Sequence, residues 1–239
     1  MTSTRELKSA VIGLLGFAAA QEQVLLAASP PGEFGSASDW AALPIAAHNT
    51  EFRAQQVERL QAIASGREPA EFAEVDHSSD SLYQAYASHP AVQVARDSWR
   101  VAGELIDGVD TVGADDLLDP SRNPWLRGRQ LWLQIVVRGF WHPTGHLADY
   151  YAAHDQPDRA VAMTALGLAA ARNLRAPDQA CGMAAYNLAC AQAKAGQLDD
   201  AAASIRDAAS LNADLRAKAG SDPDLAILRG SGRLEAALA

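Results

Sequence analysis

The chain has 239 residues, 49% of them hydrophobic, with a formal net charge of −9 and two cysteines. That apolar share suffices for a packed core and excludes wholesale disorder. So acidic a balance repels phosphate backbones and anionic lipids, which argues against nucleic acid or a membrane as partner, and two cysteines cannot make a disulfide framework.

Much of the apolar content is alanine, the best helix former, while β-branched and aromatic residues are scarce. An all-α fold is expected. The first helix is predicted over 4–28, stopping before Ser29-Pro30-Pro31-Gly32. Arg5 and Lys8 ahead of the apolar run Ala10 to Phe17, with Ala18-Ala19-Ala20 behind it, imitate a secretory leader. Against that, Leu14, Leu15, Val24, Leu25 and Leu26 carry a helical stripe past Gln21-Glu22-Gln23, and Glu6 breaks the basic stretch. A first core helix and a cytoplasmic location follow, and no apolar run is expected to reach membrane-spanning length.

Ser38-Asp39 offers a cap for a second helix, regular from near Leu43 because Pro44 suits only a first turn, and ending about Ser65-Gly66. Residues 67–90 read as an acidic connector with a short amphipathic piece around Leu82 to Tyr86. A third helix is predicted from Ala91 to about Gly108, a turn segment over Asp119 to Pro124, and a fourth helix from near Gly128-Arg129. Trp99 and Trp132 are assigned to the core, and Glu58-Arg59 to a solvated helix face.

Beyond His154 the sequence becomes alanine-dominated, with helices predicted over 158–174, 177–195 and 199–211. Leu188, Ala189, Gly196, Ala201, Ile205 and Ala208 stand at the spacing of a tetratricopeptide-like repeat, a degenerate one because Ala185, Gln192 and Ala213 occupy its usual tryptophan, tyrosine and proline places. The expected division is a bundle over 1–155 and a repeat tail over 156–239. Cys181 and Cys190 fall roughly 180° apart on one helix, so they cannot bridge and read as small buried hydrophobes.

The chemistry concentrates in Trp141-His142-Pro143-Thr144-Gly145-His146 and Asp149. His142 and His146 share one helix face, and neutral imidazoles so spaced can bind a first-row metal. Asp149 is placed to orient a histidine as a catalytic partner. His48, in the apolar run Ala46-Ala47-His48, is the third candidate. The residues alone leave a metal triad and a hydrogen-bonded polar cluster as alternatives. Pro143 removes the hydrogen bond to Gly139 and predicts a kink between the paired histidines. Trp40, Phe52, Trp125 and Trp141 are candidate walls of a substrate pocket.

Several stretches carry a family resemblance: Asp39-Trp40 with Ala47-His48 and Phe52, Asp115-Asp116-Leu117-Leu118, Asn123-Pro124-Trp125-Leu126-Arg127-Gly128-Arg129, and Trp141-His142 with His146. Over about residues 5–155 they resemble the DinB-like four-helix bundles, and within them the colibactin self-resistance family. The resemblance implies a nickel or zinc site at His48, His142 and His146. It also implies resistance or detoxification chemistry on a reactive small molecule, by a hydrolase or a metal-dependent thiol transferase, although the colibactin-resistance branch can share the fold without the metal. The alternative is a non-catalytic binding or interaction module using the repeat tail, which would otherwise cover an apolar bundle face or build a homodimer.

Overall fold

The computed structural model describes residues 3–29, 35–36, 39–69, 84–86 and 89–239. The protein is all-α: the described strands are the two-residue pair Gly35–Ser36 and Asp39–Trp40. Two compact units divide the chain, Ser3–Pro143 and Thr144–Ala239.

The first unit opens with α1 (Thr4–Ala28), whose start is set by a capping box between Ser3 and Glu6. Leu7, Val11, Leu14, Leu15 and Leu25 are buried at helical spacing along it. By length and composition α1 is apolar enough to cross a membrane, contrary to the expectation from sequence. Its stripe, however, includes Glu22 in the same buried register.

Helix α2 (Ala42–Ala64) holds Pro44 in its first turn as expected, but Ala41 occupies the cap position and Asp39 lies in the strand pair instead. Helix α3 (Ala91–Thr111) buries Val94, Val101, Leu105 and Val109 and packs on α1 and α2. Trp99 falls outside that stripe and is 60% exposed, which corrects its assignment to the core. Short α4 (Ala114–Leu118) and two 3-10 turns, Pro120–Arg122 and Pro124–Leu126, lead to α5 (Leu131–Val136). Trp132 is buried there as expected, its indole N–H donating to Gln130 Oε1 at 2.8 Å. A π turn (Val137–Trp141) joins α5 to α6 (His142–Ala153).

The division between units falls inside α6. Beyond it, Thr144 accepts a hydrogen bond from Asn187, and Asp149 pairs with Lys194.

In the second unit α7 (Pro157–Asn173), α8 (Asp178–Lys194) and α9 (Leu198–Leu211) pack successively, within a residue or so of the expected ranges. Small residues allow the close approach: Ala180, Ala185, Ala189, Ala201 and Ala208 are all sealed from solvent. Helices α10 (Asp214–Ser221), α11 (Ala226–Gly230) and α12 (Arg233–Leu238) complete the unit through Leu215, Leu228 and Leu234.

Candidate metal centre

Helix α2 carries His48, Phe52, Gln56 and Arg59 at steps of three or four residues, which makes one stripe of the helix. The opposing wall comes from α5, the π turn and α6, which supply Arg138 and His142. Across the gap His48 Nε2 lies 3.3 Å from His142 Nε2. His146 follows one turn along α6, and the three residues each offer a nitrogen within 4.8 Å of the others. His48 is buried, while His142 and His146 are partly accessible.

This group could hold a metal ion. Its donor chemistry fits zinc or nickel, both served well by imidazole. Two nitrogens bound tetrahedrally at 2.0–2.1 Å stand about 3.3 Å apart, which matches the His48–His142 separation. Without an ion, the same contact is a hydrogen bond in which one ring must carry the proton.

Pro143 does not part the histidines. It has no N–H to reach Gly139, and the irregularity is taken up upstream: the His142 N–H donates to Val137 O, five residues back, in the π turn. His142 and His146 therefore remain on one face of α6. The π turn runs hard against α1 and α3, since a Cβ on Gly139 would lie 2.2 Å from Leu15 Cδ2 and 3.1 Å from Leu105 Cδ2. A residue without a side chain is needed at that approach.

The rings around the imidazoles are Trp40, 5.5 Å from His48 between centroids, and Phe52, 4.7 Å from His48 and 4.9 Å from His142. Both meet them edge-on. Trp141 is half-buried at the end of the π turn. Trp125 stands elsewhere: the Arg59 guanidinium lies 4.7 Å over its ring, and it lines a cleft of about 390 Å³ with Ile63, Asp116 and Arg122. Asp149 is a correction. It is exposed and pairs with Lys194 at 2.6 Å rather than with a ring nitrogen.

Sequence reasoning missed four features. Tyr86, 6.5 Å from His48 between centroids, donates its hydroxyl to Glu51. Glu22 is fully buried and accepts from Arg53 at 2.8 Å, from Asn49 at 2.7 Å and from Ser98. Its place in the apolar stripe of α1 was the available signal. The third feature is Arg138, whose guanidinium lies 4.5 Å over Phe52. The fourth is Arg59, which is half-buried, not solvated. Burial, then the charge of Arg138, lowers the Arg59 guanidinium to about 10. Burial, then Arg129, lowers Arg138. Of the remaining histidines His77 lies outside the described residues, His89 is exposed, and His154 stacks on Tyr150 at 4.0 Å.

Cys190, Asp222 and Asp224 form a second convergent group in the Thr144–Ala239 unit. Their partners are already set: Tyr186 and Lys218 hold Asp222, and Lys194 holds Asp224. Burial pushes the Cys190 thiol far up, away from the thiolate a metal requires. This group reads as structural.

No family model, curated protein or solved structure matches the chain.

Proposed function

We propose that the protein is a small-molecule enzyme of the resistance or detoxification kind, with a divalent transition ion held by His48, His142 and His146. The observation that carries this reading is the meeting of His48 and His142, from separate helices, with their Nε2 atoms 3.3 Å apart and His146 one turn away. The resemblance of residues 5–155 to DinB-like four-helix bundles supports it, with the tail as a degenerate tetratricopeptide-like addition. So does the acidic net charge, which suits a small molecule better than nucleic acid.

A zinc or nickel ion held by the three imidazoles would supply a Lewis acid able to lower the pKa of water or a thiol. The chain's own residues do the rest. Phe52, edge-on to both imidazoles, restricts their rotation and keeps their Nε2 atoms convergent. Trp40 and Phe52 exclude water from the buried side of His48. Glu51, bonded to the Tyr86 hydroxyl, gives the same wall a carboxylate able to receive a proton. The substrate class is an electrophile that water opens or a thiol caps.

Metal analysis of the purified full chain, followed by styrene oxide consumption with and without added cysteine, tests the proposal. About one equivalent of metal and metal-dependent consumption are expected. Acceleration by the thiol marks a transferase, and indifference to it marks a hydrolase. Failure to retain or take up zinc or nickel would refute the metal centre.

A further inference from the structure

The wall that carries the imidazoles continues into a patch of guanidinium groups. Arg138 lies 4.5 Å over the face of Phe52, whose other neighbours are His48 and His142, so a single aromatic ring separates it from the imidazoles. Arg59 follows Phe52 along the stripe of α2 and is close enough to Arg138 for their charges to oppose each other. Arg129 presses on Arg138 in the same way. Among the described residues no carboxylate pairs with Arg138 or Arg129. Arg138 touches the Phe52 ring, and Arg129 makes one long hydrogen bond, 3.4 Å, to Leu126 O.

Arg129 is exposed and solvated, but Arg138 is half-buried, and a desolvated guanidinium pressed by like charges is unfavourable unless an anion completes it. In a chain of net charge −9 the concentration is a local feature, opposite in sign to the molecule as a whole. Buried polar groups on the same side point to a missing partner as well. Gln56, 1% exposed and between Phe52 and Arg59 in sequence, has neither amide atom bonded among the described residues.

Resting on the reading of His48, His142 and His146 as the reaction centre, we propose that this site takes a small molecule bearing an oxyanion, carboxylate or phosphate. Arg138, with Arg59 beside it, grips that group while the reacting atom lies at the imidazoles. The guanidinium fork matches either oxyanion in a bidentate manner, and the apolar body of the ligand lies along Phe52. Arg138 is thus a specificity residue, since a neutral molecule of the same shape leaves its guanidinium uncompensated.

The test is calorimetric titration of the full chain with phenyl phosphate and benzoate, against benzyl alcohol as the neutral counterpart, alongside zinc affinity by chelator competition. The oxyanions should bind at least about tenfold more tightly than the alcohol, with affinity falling as salt rises. Arg138→Gln should remove that preference while zinc affinity stays within about threefold, and Arg138→Lys should restore part of it. Arg59→Gln supplies a second variant, expected to weaken oxyanion binding in the same direction. Equal binding of the oxyanions and the alcohol, or a preference untouched in Arg138→Gln, would overturn the proposal. An Arg138-dependent preference in a protein that binds no zinc would support it and refute the metal centre instead.

Discussion

Arg53 donates to Glu22 across 2.8 Å, with the two side chains 1% and 0% exposed. Asn49 and Ser98 also donate to the same carboxylate, so α1, α2 and α3 are joined at one buried charge. Removing one partner leaves an uncompensated ion in the core, which costs about 3–5 kcal/mol. Glu22→Ala should lose that much in chemical denaturation, whereas the double change Glu22→Leu with Arg53→Met should recover most of it. A single variant as stable as wild type would show that the pair is not sealed.

Gly139 predicts a second effect. Any side chain there must displace Leu15 in a packed core, and such overpacking costs about 1–3 kcal/mol. The π turn sets the start of α6, so Gly139→Ala should also weaken metal binding by shifting His142. Denaturation and chelator competition on one sample check both, and an effect on neither would contradict the tight approach.

In the Thr144–Ala239 unit the Tyr186 hydroxyl donates to Asp222 at 2.8 Å, both residues being buried. Burial alone would raise the Asp222 carboxyl, but the hydrogen bonds from Lys218 and Tyr186 outweigh it and the net shift is downward. A carboxylate held below its ordinary value contributes stability above about pH 4 and loses it as acid takes the pH through the lowered value. Tyr186→Phe should therefore cost about 1–3 kcal/mol at neutral pH, and less once Asp222 is protonated. A pH-independent difference between the two proteins would sink this account.

The fold class was legible because alanine-rich, 3.6-residue periodicity leaves little else for the chain to form. The C-terminal end of α1 was legible too, from the Ser-Pro-Pro stop, whereas the capping box of Ser3 and Glu6 at its start was not read from the sequence. The pairing of His142 with His146 follows from spacing alone. Its survival beside Pro143 does not, because the π turn depends on how closely Gly139 approaches Leu15 and Leu105. Trp99 was misplaced by residue type, although the stripe through Val94, Val101 and Leu105 would have set it outside. Arg138 and the Glu22–Arg53 pair were hidden for a different reason. Their meaning lies in partners from other helices, and one sequence carries no record of which helix faces which. Helices α10 to α12 are short, and no periodic stripe announced them.

The central claim is that His48 and His142 are two ligands of one metal. Zinc affinity by competition with a chromophoric chelator, compared among wild type, His48→Ala and His142→Ala, tests it most directly. The account predicts about one equivalent bound by wild type, and a loss of about a hundredfold or more in each variant. The partly accessible His142 should be replaceable with little change in the melting temperature of the metal-free protein. Zinc affinity unaltered in His142→Ala, or no zinc bound by wild type, would contradict the claim and leave the two imidazoles as a packing contact.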